Sequence, residues 1–253
     1  MLVESSCRYL NNIYIYNNNF ISLLNLINYL IKNGIKPFNI KDSFYNQTLL
    51  DNIINLEIEE NTHITNLFNN NILKTIYYVY LSEEDNKELI LYYFILNYFK
   101  YNETVIYRKN LKCVCEVLRI SNYVSRENHK YKGFVRFKEL ENNILYAEIE
   151  PVNNILSILS NHFKKRLKNE LWIIHDKKRN ILSIYDKKNF YITSDDNFKL
   201  LNTNISENET NIENMWKTFY KTIGITMRKN DKCRMNFMPK RYWKYIIEMS
   251  DEI

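Results

Sequence analysis

An α+β fold is predicted: an antiparallel sheet with packed helices, and a mainly helical segment in the N-terminal half. Three observations predict it. Apolar positions recur at helical spacing through much of residues 1–125, the period turns to alternation beyond Gly133, and two apolar runs, Trp172–His175 and Ile181–Tyr185, flank a polar turn. That order suits helices packed across a central sheet.

In chain order, Asn12–Tyr16 is short and β-prone, and Phe20, Leu23, Leu24, Ile27 and Ile31 then recur at helical spacing until Gly34 and Pro37 end the helix. Ile53–Ile58 reads as a second strand. Thr62 is placed to cap a helix, Ser82 and Asp85 resemble a capping box for a helix through Leu89, Tyr93 and Leu96, and Thr104 caps the next, which runs towards Arg126. Leu145, Ala147 and Ile149 alternate with Tyr146, Glu148 and Glu150, as in a half-buried strand that Pro151 ends. Leu156, Leu159 and Phe163 form a helical stripe with His162 and Arg166 one turn apart at its edge. Trp172–His175 and Ile181–Tyr185 read as antiparallel strands around an exposed turn. The acidic, Asn-rich stretch 194–211 reads as a loop, Ile212, Met215, Trp216, Phe219 and Ile223 as another amphipathic helix, and Pro239 as the first residue of a last one.

With 253 residues, 45% apolar, and only three Gly and three Pro, the chain can bury a core and is neither disordered nor low in complexity. A single α+β domain over 1–253 is expected, divisible into a mainly helical lobe (1–125) and a basic sheet-plus-helix lobe (126–253). The enrichment in Asn, Ile, Lys and Tyr is that of an AT-rich coding sequence. The longest apolar run, Leu89–Phe99, is about half the roughly 20 residues of a membrane span, and the N-terminus lacks a leader pattern, so a cytoplasmic protein is expected. Cys7, Cys113, Cys115 and Cys233 are too sparse for a disulfide framework and are expected as reduced thiols, the Cys113 and Cys115 pair buried. The net charge of +6 is uneven: −1 in residues 1–125, +6 in 126–190, −3 in 191–210 and +4 in 211–253. A polyanion suits the second half.

Several segments carry a more specific signal: 126–137 (Arg-Glu-Asn-His-Lys-Tyr-Lys-Gly-Phe-Val-Arg-Phe), Tyr146–Pro151, His162–Arg166, Trp172–Arg179, Trp216–Phe219, Arg228–Asn230 and Phe237–Trp243. In order and spacing they resemble a bacterial family assigned to DNA metabolism and DNA repair, and Ile13–Tyr16 is similar to its opening strand. The resemblance spans most of the chain except 38–75 and 191–211. Asn128 departs from it, standing where the family carries a small residue. The resemblance implies a neighbouring radical-SAM DNA repair protein as partner and, in some members, fusion to a uracil-DNA-glycosylase-like domain. This chain has no CxxxCxxC triad for an iron–sulfur cluster, so it would be the partner rather than the radical enzyme.

Candidate site residues follow. Arg126, Lys132, Arg136, His162, Arg166, Lys178, Arg179, Arg228, Lys240 and Arg241 are the candidate nucleic-acid contacts, with backbone N–H groups after Pro239 adding donors. The alternative is a set of surface ion pairs with Glu127, Glu148 and Glu150. Tyr131, Phe134, Trp172, Trp216, Tyr242 and Trp243 offer either base-stacking surfaces or core packing. His175 and Asp176, with Glu127 and His129, are the catalytic candidates, although neighbours on a strand point to opposite faces and cannot pair directly. His129, His162 and His175 match no metal-ligand spacing, and no cofactor is indicated. The expected function is DNA repair or metabolism, binding DNA and presenting or processing damaged bases with a radical-SAM or glycosylase partner. The alternatives are a self-sufficient base-excision or nucleotide-processing enzyme and a non-enzymatic protein-binding adaptor.

Overall fold

The computed structural model describes residues 11–48, 51–196 and 204–252. Cys7 and residues 197–203 of the acidic stretch lie outside them. The chain divides into two compact units, Met1–Ser125 and Arg126–Ile253.

In the first unit β1 (Asn11–Tyr16) leads into α1 (Phe20–Lys32), followed by β2 (Asn39–Asp42) and β3 (Asp51–Asn55). The sheet has the order β2-β1-β3 and both pairings are parallel. Helix α1 starts where the Asn19 side chain accepts the Ser22 N–H, and it ends before Gly34, which adopts φ +64°. It buries Leu23, Leu24, Leu26, Ile27 and Leu30, each contributing about 1.5–3 kcal/mol of transfer free energy. A 3-10 helix (Thr62–Leu67), α2 (Asn70–Tyr80) and α3 (Lys87–Tyr101) complete the core, with Ile72, Ile76, Leu91, Phe94 and Ile95 buried in it. Tyr16 donates to Glu88 Oε1 at 3.2 Å in this core, and burial pushes the Glu88 carboxyl up.

Helix α4 (Lys112–Phe134) runs into the second unit, where β4 (Lys138–Glu139), β5 (Leu145–Ile149), α5 (Leu156–Arg166), β6 (Trp172–Asp176), β7 (Ile181–Tyr185) and β8 (Phe190–Ser194) follow. They form a sheet in the order β4-β5-β6-β7-β8. All neighbours are antiparallel except β5 and β6, which α5 joins as a parallel crossover. The sheet is therefore mixed rather than antiparallel throughout. Alternation reports only which face a side chain takes, not the direction of the neighbouring strand. Under α5, Trp172 is fully buried, stacked on Tyr185 at 5.0 Å, and Ser160 Oγ lies 2.7 Å from Ser183 Oγ.

The C-terminal part contains α6 (Glu207–Ile223), α7 (Asp231–Phe237) and 3-10 helices at Lys240–Tyr245 and Ile247–Glu252. Tyr242 packs against Tyr131 and Phe134, and Trp243 donates its indole N–H to the Met238 carbonyl at 2.9 Å. Arg136 binds Glu248 at 2.7 Å, and Trp216 donates to the same carboxylate. The apolar stripe of α6 is not buried: Ile212, Met215, Phe219 and Ile223 are each more than half exposed.

Several local expectations are corrected. Asn86, at φ +58° and without a side-chain capping bond, precedes α3, so Ser82 and Asp85 form no capping box; Ser82 Oγ instead donates to the Val79 carbonyl. Asn61, not Thr62, caps the first 3-10 helix. Thr104 lies inside a 3-10 turn, Asn102–Tyr107, and α4 begins only at Lys112. Strand β2 was not foreseen. Pro239 is the N-cap of a six-residue 3-10 helix rather than the first residue of an α-helix. Cys115 is exposed rather than buried, its thiol 2.9 Å from the Lys109 carbonyl. Among the described residues four asparagines, Asn86, Asn102, Asn143 and Asn180, take positive φ.

Candidate functional site

The ladder between β5 and β6 places Glu148 beside His175, so Tyr146, Glu148 and His175 share one sheet face. Asp176 points to the other. Tyr146 Oη lies 2.8 Å from His175 Nδ1 and donates to Glu148 Oε1 at 3.0 Å, while His175 Nε2 stands 3.2 Å from Asp195 Oδ2. The chain Glu148, Tyr146, His175, Asp195 thus links a partly exposed carboxylate (side chain 37%) to an imidazole only 1% exposed. Filling all three contacts with hydrogen bonds takes three protons, and a neutral tyrosine and a neutral imidazole bring two; the contact of His175 Nε2 with Asp195 is the one that carries no hydrogen bond. Burial, followed by Lys177, pushes the His175 pKa down, against Asp195, Glu148 and Asp176, which pull it up. Burial and Glu148 push the Tyr146 hydroxyl up, so it stays protonated. The third proton therefore enters only as the pH falls. Lys177 Nζ, 3.7 Å from Glu148 Oε1, and Glu150, held by Lys244 and Tyr245, complete the polar surroundings.

Glu127 and Asp176 have other work. Glu127 Oε1 accepts the Val152 N–H, and Oε2 accepts both the N–H and side-chain amide of Asn153. Asp176 accepts the N–H groups of Lys178 and Arg179 and the Arg179 guanidinium at 2.9 Å. Burial raises the Asp176 pKa, and Arg179 opposes it. Arg179 also donates to the Pro151 and Val152 carbonyls, and Lys178 Nζ to Val152. The segment after β5 is gripped by an anion on its donors and by cations on its acceptors. Glu127 and Asp176 are braces, with their oxygens occupied, rather than available bases.

His129 is exposed on α4, and His162 lies on α5. Ser160 of α5 meets Ser183, whose ladder partner is Ile174, so α5 covers the sheet face opposite His175. The three histidines therefore do not gather. Among the described residues no group of three His, Cys, Asp or Glu side chains forms a metal cage.

The candidate cations divide by what holds them. Arg136 is bound by Glu248, and Lys178 and Arg179 by the segment after β5. Among the described residues Arg126, Lys130, Lys132, Arg166, Arg228 and Lys240 have no carboxylate partner. Lys130 and Lys132 lie about 200° apart around α4, so they serve different surfaces. On one, the Lys130 ammonium and the Arg241 guanidinium lie 5.8 and 4.8 Å from the Tyr242 ring centroid, and Lys240 and Arg234 lie 5.6 and 4.9 Å from that of Trp243. Arg126 is one turn before Lys130. On the other, Lys132 and Arg166 add to burial in pushing the His162 pKa down. Because Lys240 and Arg241 open a short 3-10 turn, the rings rather than a helix dipole account for their placement. Tyr131, Trp172, Tyr242 and Trp243 are core aromatics, whereas Trp216 is 41% exposed.

Sequence reasoning missed Tyr146, Glu148, Asp195 and Lys130 as site residues. The alternation along β5 had already set Tyr146 and Glu148 on one face, and Lys130 follows Arg126 at one helical turn. Asp195 carried no signal, since only the fold of the segment after β8 brings it to His175.

No curated protein and no solved structure matches the chain. The relay, the gripped segment and the cation-flanked aromatic pair all fall within the span of one family model, which matches residues 85–248. The chain belongs to that family, the domain of unknown function DUF4130.

Proposed function

We propose that the chain is a DNA-binding protein of DNA repair or DNA metabolism, which presents or processes damaged bases together with a radical-SAM or glycosylase-like partner. The observation that carries this reading is the group of cations around Tyr242 and Trp243. Lys130 and Lys240 have no carboxylate partner among the described residues, and Arg241 sits beside them on a buried aromatic base. Lys130 and Lys240, held on rigid rings and without a carboxylate partner among the described residues, suit a row of phosphates. This surface is narrower than the ten residues read from the sequence, because Arg136, Lys178 and Arg179 are engaged inside the fold. The exposed apolar stripe of α6 supports the partner half of the reading.

Titration of labelled single- and double-stranded DNA at several salt concentrations tests it. Affinity is expected to fall steeply with salt, with a slope of about 0.9 per phosphate neutralised on duplex DNA. Absence of binding to either form at low salt would sink the proposal.

The relay from Glu148 to His175 favours a second reading, a self-sufficient base-excision or nucleotide-processing enzyme in which Glu148 is the group that meets substrate and His175 positions a proton behind it. Release of a damaged base by the purified chain, lost in Glu148→Gln, is its test. A chain inert across a broad lesion panel returns the chemistry to the partner.

A further inference from the structure

The geometry points to a nucleoside-binding site in the N-terminal unit, in a cavity of about 260 Å³ at the carboxyl ends of β1 and β3. The chain leaves the central strand β1 for β2 on one side and then reaches β3 on the other, so the β1–β3 gap is where the connections part company. In open parallel sheets the crevice outside the strand ends at such a point is where ligands lodge. The volume is near the lower end for small-molecule sites.

The lining supplies acceptors. Asn25 of α1 is only 6% exposed, and its Nδ2 is spent on the Ile21 and Asn61 carbonyls; its Oδ1 accepts nothing from the described residues. At the rim the side chains of Asn17, Asn55 and Glu57 have no hydrogen-bond or ion-pair partner among the described residues, and Glu60 takes only the Asn19 amide. Two carboxylates and the Asn25 oxygen call for hydroxyl or amine donors, and the Asn17 and Asn55 amides can both accept and donate. Ile15, Leu26, Leu56 and Ile58 supply an apolar floor on which a flat base can lie.

Phosphate does not suit the site. No Lys or Arg lines it, and Glu57 and Glu60 do. At the start of α1 the Ser22 N–H is taken by Asn19 Oδ1 and the Asn17 N–H by Ser22 Oγ, so these two backbone donors are already used. The link Asn17-Asn18-Asn19 also lacks the glycines that let a backbone wrap phosphate oxygens. The base and ribose of a nucleoside match; its 5′-phosphate does not.

The test is a titration of the isotope-labelled full chain with adenosine, guanosine, cytidine and uridine, and with adenosine 5′-monophosphate, read by amide chemical shifts. Saturable shifts at Asn17, Ser22, Asn25 and Glu57 are expected from at least one nucleoside. The monophosphate should bind at least about fivefold more weakly than adenosine, because its charge meets two carboxylates. Glu57→Gln, at an exposed position that leaves folding intact, should weaken the nucleoside about threefold to tenfold and narrow the gap to the monophosphate. No shift from any of the four nucleosides, shifts scattered away from the cavity, or tighter binding of the monophosphate would each overturn the assignment.

Discussion

A single carboxylate oxygen of Glu127 accepts both the backbone N–H and the side-chain amide of Asn153, at 2.9 and 2.6 Å, from a position only 3% exposed. Removing that carboxylate strands buried donors, so Glu127→Ala should cost about 3–5 kcal/mol, as for a broken buried network. Glu127→Gln turns an amide N–H₂ towards two donors or towards one, and should cost about 1–3 kcal/mol. Denaturant midpoints of both variants check the order. Near-neutral values for both would mean that water replaces the brace.

Tyr146→Phe removes the hydroxyl between Glu148 and His175 while keeping the ring. The His175 imidazole should then lose its Nδ1 partner and titrate at a changed pKa, visible in its ring carbon and nitrogen shifts. An identical His175 titration in the variant would show that the 2.8 Å contact does not hold the proton.

Acid should destabilise the protein first through its buried imidazoles. Burial lowers the pKa values of His175 and His162 from the ordinary 6.5, so the unfolded chain binds protons there before the native one does. Stability is therefore held above about pH 6.5 and falls as pH drops through the folded values. Asp176 and Glu88 have the opposite sign: because their folded pKa values are raised, their protonation as the pH falls through those values restores part of the loss. Urea midpoints across about pH 8 to 4 check this, and His162→Gln should flatten part of the first fall. A midpoint constant from pH 8 to 5 would contradict it.

Trp243 and Lys240 should separate stability from binding. Trp243→Ala opens a cavity at a residue 3% exposed and should cost roughly 3–5 kcal/mol. Lys130→Gln with Lys240→Gln should leave the melting temperature nearly unchanged and lower the salt slope of DNA binding by up to about two phosphate contacts. Unchanged slope in the double variant would require the polyanion surface to be redrawn around Lys132 and Arg166.

Much of the fold was legible because period reports burial. Strand β1, helices α1 and α5 and strands β5, β6 and β7 fall close to where spacing placed them, and Gly34 ends α1 as expected. The parallel pairing of β5 with β6 was not legible, since direction depends on the crossover through α5. Helix starts were missed where Asn took the cap from Thr or Ser, because several polar residues in a row compete for one position. For the site, His175 is the candidate that lies in a row of polar contacts, whereas Glu127, Asp176 and Arg179 are used by the segment after β5. Their hydrogen bonds span 25 to 28 positions in sequence or close a local turn, and spacing carries neither.

The asparagines at positive φ connect the backbone to the genome. Glycine at such a turn avoids a left-handed penalty of about 1–2 kcal/mol for an ordinary residue, but it gives up roughly 0.5–1 kcal/mol through a looser unfolded chain. Asparagine, whose short amide bonds locally, meets only part of that penalty, so the two residues come close to parity. At parity selection is nearly blind, and base composition decides. A glycine codon starts with two G residues and an asparagine codon with two A residues. Where A and T codons are favoured, the turns at Asn86, Asn143 and Asn180 can drift from one residue to the other without moving a strand, and three glycines suffice for 253 residues.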